Sequence, residues 1–302
     1  MRRTAVALLL LSALWCSSVS AQPRCGDPDP EISISVCSAL IQSGRARGPD
    51  LATAHVERGI AYVTLLDYDR ALKDFDEAVR LDPRSARAFA NRGAVHGAKQ
   101  DFDMAIGDLT QALKLEPRSA TAFADRAGMY RLNGQYEEAI RDYGEAIRLD
   151  PMFEDALLNR ALTLAGTSRC PDAILDFTRV IELNPKQALA YIDRAVCYEG
   201  AGRDDLALAD FSKHIEIDPR SGEGFERRAA LHFRTRDYAR ALADFAEALV
   251  INPSSPTALY GRGVVKRTMG DTRGGTQDMD TATAMRPNVA TELARRGLKP
   301  PE

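Results

Sequence analysis

The chain has 302 residues, of which 45% are hydrophobic and 27% charged, with a formal net charge of −3. This balance excludes a disordered chain, and the length exceeds one ordinary compact domain. A mildly acidic chain with no block of basic residues also disfavours nucleic acid as a partner.

The first predicted feature is a leader. Arg2 and Arg3 precede an apolar run from Ala5 to Leu14, and Val19, Ser20 and Ala21 supply small residues, so residues 1–21 read as a signal peptide cleaved after Ala21. An apolar run of about ten residues is too short for the roughly 20 that cross a bilayer, so no stable membrane insertion is expected after cleavage. Bulky Trp15 before Cys16 argues against a lipoprotein. Losing both leader arginines takes the formal charge from −3 to −5.

Residues 22–51 form an N-terminal capping segment. Asp29 is placed to cap a helix, Pro30 suits its first turn, and Ile34, Cys37, Leu40 and Ile41 share one side, so residues 29–43 are predicted as an extra helix. Cys25, Cys37, Cys170 and Cys197 remain after cleavage. An even count in an exported chain favours disulfides over thiol chemistry. Cys25 and Cys37 are near enough in sequence to pair locally, while for Cys170 and Cys197 a bridge and two buried thiols both stay open. No pair has CxxC spacing and no His stands beside them, so no metal site is read.

From residue 52 the chain repeats itself. Pro83, Pro117, Pro151, Pro185, Pro219, Pro253 and Pro287 each lie 34 residues from the last. A period of that size marks a solenoid. Seven copies begin at Ala52, Ala86, Ala120, Glu154, Ala188, Gly222 and Pro256, and together they occupy residues 52–289. Within a copy, apolar residues recur at helical spacing in two blocks, as in Phe89, Gly93 and His96, then Ala105, Leu109 and Ala112. Each copy is therefore a helix hairpin.

Ser85, Ser119, Ser221 and Ser255 are placed to cap first helices, and the proline ends each second helix because it lacks an amide hydrogen. Gly59, Gly93, Ala127, Ala161, Ala195, Ala229 and Gly263 hold one position of the first helix; Ala71, Ala105, Ala139, Ala173, Ala207 and Ala241 hold one of the second. Facing small residues allow close backbones, and Phe75, Tyr143, Phe177, Phe211 and Phe245 fill the space beside them. In the last copy Gly274 and Gly275 replace the second-helix Ala and Lys266 takes an aromatic site. Val289–Arg296 has room for a short helix, so residues 290–302 read as a C-terminal cap and tail inclined to fray.

The period, the small residue at Gly93, the aromatic at Tyr130 and the run Ala139, Tyr143, Ala146, Pro151 together resemble the tetratricopeptide repeat family. The resemblance implies an all-α, right-handed superhelical solenoid of seven helix-turn-helix repeats behind an N-terminal capping helix. It also implies a concave groove that binds peptides or protein segments. Likeness to exported bacterial repeat proteins implies a periplasmic or secreted location.

One departure from the family pattern is filled in every copy. The seventh position holds Arg58, Arg92, Arg126, Arg160, Arg194, Arg228 and Arg262, and the twenty-third holds Asp74, Asp108, Asp142, Asp176, Asp210, Asp244 and Asp278. The hairpin turns near the fifteenth position, so the two sites sit at one height, about 12 Å from the turn at 1.5 Å per residue. An ion-pair ladder shielded from water is the expected structure; an anionic ligand site on the arginines is the alternative.

No nucleophile with its base, metal set or phosphate loop is visible, so no enzyme and no cofactor are expected. His55, His96, His214 and His232 replace packing residues, and TRGGTQD lacks the Lys of a phosphate loop. The sixth position, which faces the groove in proteins this chain resembles, carries Asn91, Asp125, Asn159 and Asp193, with Leu158, Leu162, Ile192 and Val196 as an apolar floor. Asn can bond an extended backbone without reading its sequence, and the two Asp favour a basic segment. The expectation is an exported adaptor or assembly factor that binds a protein or peptide. A self-associating structural protein of the cell envelope is the alternative.

Overall fold

A computed structural model describes residues 24–301. The signal-peptide reading of residues 1–21 lies outside them. Sixteen α-helices and no strand occur among the described residues. The chain divides into two compact units between Val95 and His96.

The first unit holds α1 (Pro30–Gln42), α2 (Pro49–Thr64), α3 (Tyr68–Leu81) and most of α4 (Ala86–Ala98). Asp29 Oδ1 accepts from the amides of Glu31 at 2.9 Å and Ile32 at 3.3 Å, which fixes the start of α1. The Cys25 and Cys37 sulfurs lie 2.07 Å apart, at disulfide distance. Helix α2 begins at Pro49, ahead of Ala52, because a proline suits a first turn. It packs on α3 around Phe75, which has no exposed surface. A Cβ on Gly59 would come within 2.6 Å of that ring, so the glycine is what lets the two helices meet.

The second unit holds α5 (Phe102–Leu115), α6 (Ala120–Leu132), α7 (Tyr136–Leu149), α8 (Glu154–Gly166), α9 (Cys170–Leu183) and α10 (Ala188–Gly200), continuing with α11 (Asp204–Ile217) and α12 (Gly222–Arg234). It ends with α13 (Tyr238–Ile251), α14 (Pro256–Thr268), α15 (Thr272–Met285) and α16 (Val289–Arg295). From α6 to α15 the helices pair as hairpins, and each second helix also packs on the first helix of the next hairpin. Ser119, Ser221 and Ser255 accept from the amides of Ala122, Gly224 and Ala258 at 3.2, 3.3 and 3.2 Å, which fixes three first helices. At the turn of each hairpin one residue takes positive φ: Gly134, Ser168, Gly202, Arg236 and Gly270, each 34 residues after the last. Only that left-handed residue reverses the chain in so few steps.

The core is a column of small residues and rings. Ala139, Ala173, Ala207 and Ala241 of the second helices are fully buried, beside Phe177, Phe211 and Phe245. Fully burying each ring contributes on the order of 1.5–3 kcal/mol, an amount no hairpin gains by itself. Helix α15 forms in full despite its glycines. Gly263 and Gly275 face each other so closely that a Cβ on either would come within 2.6 Å of the other's carbonyl oxygen. Val289, Leu293 and Leu298 then close the cluster around α14.

Candidate functional site

Arginine and aspartate pairs run through both units. Arg126 donates from Nε to Asp142 Oδ2 at 2.6 Å and from Nη2 to Oδ1 at 2.9 Å. The same two-point grip joins Arg58 to Asp74, Arg160 to Asp176, Arg194 to Asp210, Arg228 to Asp244 and Arg262 to Asp278. Arg92 and Asp108 belong to different units; Arg92 donates to Asp76 at 2.8 Å within its own. The ring of Tyr130 lies 5.7 Å from the Arg126 guanidinium and that of Tyr198 lies 5.6 Å from Arg194, so aromatic faces hold the forks in plane.

A further contact reaches backwards. Nη1 of Arg126, Arg194 and Arg228 donates to Thr110, Thr178 and Ser212 at 3.0, 2.9 and 3.1 Å. Each acceptor sits on the second helix of the preceding hairpin, so one side chain ties two neighbours. For Arg160 the corresponding residue is Gly144, which has no hydroxyl to offer.

The pairs leave the arginines little freedom for a ligand. At Asp74 burial works to raise the carboxyl, but hydrogen bonds from Arg58 and His55 outweigh it and hold the group below the usual range. His55 Nδ1 lies 2.8 Å from Asp74 Oδ1, and His214 bonds the Ala188 carbonyl and the Ser221 hydroxyl, both at 2.9 Å. Burial pushes the His232 pKa down. Among the described residues no three His, Cys, Asp or Glu side chains gather to hold a metal.

The sixth-position residues face a different way. Asp125 and Asn159 line a recess of about 360 Å³ with Gly128, Arg131, Tyr143, Phe153 and Asp155. Burial among these walls raises the Asp125 carboxyl, and the group forms no hydrogen bond or ion pair with any described residue. Asn159 Nδ2 donates to the Asp155 carbonyl at 2.8 Å, which leaves its side-chain oxygen as the free group; Asn91 makes the same bond to Arg87 in the first unit. Asp193 is raised by burial too, with Arg227 acting against the rise.

The expected apolar floor is half corrected. Leu158 and Ile192 are 9% and 5% exposed and belong to core clusters, because the fifth position lies at the seam between adjacent first helices. Leu162 and Val196 are only partly buried and keep surface to offer. Of the aromatic walls, the repeat pattern marks Tyr143 as a packing residue and does not single out Phe153. Their signal was the second-helix aromatic and the Phe153 that replaces the capping Ser.

Cys170, at the start of α9, and Cys197, in α10, bring their sulfurs to 2.28 Å, also at disulfide distance. The pair is fixed by the seam between the two hairpins.

Helix hairpins stacked at a constant period, with paired charges at their seams and an open first-helix face, define a repeat scaffold. The tetratricopeptide repeat family matches residues 52–85, 158–222 and 227–268, and a related TPR repeat matches residues 128–167. These segments cover more than half of the chain, which belongs to the tetratricopeptide repeat proteins. No curated relative matches it.

Among solved structures, a tetratricopeptide repeat protein from Parabacteroides merdae is similar at 23% identity, with a TM-score of 0.59 over 82% of this chain and 99% of that one. The C-terminal part of a TPR repeat-containing protein from Cytophaga hutchinsonii gives 20% identity and a TM-score of 0.66 over 77% and 94%. YrrB, described as a TPR protein with an unusual peptide-binding site, gives 22% identity and 0.57 over 62% and 97%. At such identities the likeness shows the fold. The family is one of interaction scaffolds, and no catalytic family is matched. No helix among the described residues is long and apolar enough to cross a membrane.

Proposed function

We propose that the chain is an exported, non-enzymatic adaptor or assembly factor that grips a polypeptide segment on the first-helix face of its second unit. The observation that carries this reading is the recess at Asp125. It presents an unpaired carboxylate and a free Asn159 oxygen between two aromatic walls, a setting that suits a Lys or Arg side chain of a bound chain. Asp193 repeats the carboxylate two hairpins further on, with Leu162 and Val196 as apolar contacts. The peptide-binding site named for YrrB supports the same use of the fold.

Export is supported by the leader-like run before Ala21 and by two cysteine pairs at disulfide distance, which suit an oxidising compartment such as a bacterial periplasm. A peptide array probed with the chain lacking its first 21 residues tests the reading. Basic peptides are the expected ligands, and Asp125→Lys with Asp193→Lys should abolish that preference. Retention of the preference by the double variant, or its absence from the unaltered chain, defeats the reading.

A further inference from the structure

We infer that a cleft beside the C-terminal segment binds the carboxylates of an acidic stretch on the same polypeptide; this rests on the groove reading and deepens it. The cleft encloses about 460 Å³ and is lined by Val196, Glu199 and Gly200 of α10, Arg227 and Arg234 of α12, and Arg295, Arg296 and Gly297. Four guanidinium groups face one carboxylate there. Two of the arginines lie outside the repeat frame altogether.

The four are held unequally. Arg227 is anchored by Glu223 Oε1, at 3.1 Å from Nε and 2.9 Å from Nη2, and Arg234 by Glu199 at 3.2 Å and Asp204 at 2.5 Å. These partners orient the α12 arginines at the cleft wall. Arg295 and Arg296 are exposed and make no hydrogen bond or ion pair with any described residue, although Arg286 pairs with Glu292. Glu226 feels the charge of Arg296 without bonding it, so among the described residues the forks of Arg295 and Arg296 stay open to a ligand at the cleft.

Charge and shape select the occupant. Two free guanidinium forks match the paired oxygens of Asp or Glu side chains, and the volume, room for about fifteen waters at roughly 30 Å³ each, exceeds what a single small anion fills. Position selects a polypeptide. Val196, Arg227 and Arg234 occupy the same face of the first helices as Leu162, Asp193 and Asn159, and Asp193 and Arg227 feel each other's charge. A segment lying along that face meets acid at Asp125 and Asp193, then base at the cleft, so its own charge must change sign along its length.

Fluorescence anisotropy with labelled hexaglutamate and hexalysine, and inorganic phosphate as competitor at fixed ionic strength, tests this on the chain without its leader. The variant is Arg295→Glu with Arg296→Glu, whose side chains support no packing, and circular dichroism checks its fold. Hexaglutamate affinity should fall about tenfold or more, as expected for losing charged hydrogen bonds, while hexalysine affinity holds. Unchanged hexaglutamate affinity, no hexaglutamate binding to the unaltered chain, or full displacement by phosphate overturns the inference. Absence of hexalysine binding to the unaltered chain would instead strike the groove reading, so the two failures are told apart.

Discussion

Arg194 and Thr178 are joined by a 2.9 Å hydrogen bond from Nη1 to the threonine hydroxyl, sixteen residues back along the chain, while the other edge of the same guanidinium grips Asp210 sixteen residues ahead. One side chain thus closes its own hairpin and fastens it to the one before. Arg126 and Arg228 repeat the arrangement. A lysine, with one point of charge, has no second edge to use.

Removing Arg194 should therefore cost more than removing Arg160. Arg194→Ala leaves Asp210 shielded without its partner and Thr178 without its donor, a loss of about 3 kcal/mol. Arg160→Ala gives up the carboxylate pair alone and should cost about 1 kcal/mol less. Urea unfolding of both variants followed by circular dichroism measures the difference, and equal midpoints would contradict the bridging role of the hydroxyl.

The missing hydroxyl can be supplied. A Cβ on Gly144 would stand 3.4 Å from Arg160 Nη1, in ordinary contact and within a hydroxyl's reach. Gly144→Ser removes a helix-interior glycine and adds an acceptor for Arg160, so stability should rise by about 1 kcal/mol. Gly144→Ala separates the two effects, since it gains only the helix preference. A thermal midpoint for the Ser variant no higher than for the Ala variant would show that Arg160 does not use the new oxygen.

Asp125 has the opposite electrostatics from Asp74 and Asp278 of the ladder. Burial raises its carboxyl above the unfolded value, so the native state binds the proton more tightly and bears a cost at neutral pH that disappears as pH falls. Asp125→Asn should stabilise the fold at neutral pH, and the advantage should vanish below about pH 4, where both states of the unaltered residue are protonated. Asp74 runs the other way: its contribution is present above the unfolded carboxyl value and lost as pH falls through its lowered native one. Urea midpoints of Asp125→Asn from neutral pH down through about pH 4, and of Asp74→Asn from about pH 4 downwards, check the two signs.

How far the sequence carries the structure depends on whether a feature repeats. Pro83 to Pro287 and the seven Arg and Asp positions announce their register because each copy restates it. Asp125 and Asn159 were legible as sixth-position residues of one face. Leu158 and Ile192 were not legible as core, since periodicity assigns a residue to a face without telling how closely the neighbouring hairpin approaches. The left-handed turn residue is visible only where it is glycine, as at Gly134 and Gly202; Ser168 and Arg236 hide it. Arg295, Arg296 and Leu298 fall beyond the last copy, where no pattern remains to compare them with.

A bridge between Cys170 and Cys197, whose sulfurs lie at disulfide distance, would have a mechanical consequence. With the sulfurs joined, a molecule pulled from its two ends would bypass the loop between positions separated by 27 in sequence, remaining shorter than the reduced chain by about 90 Å at ~3.4 Å per residue. Tension would then run through the sulfur link, and the α9–α10 seam would stay clasped while its neighbours peel apart.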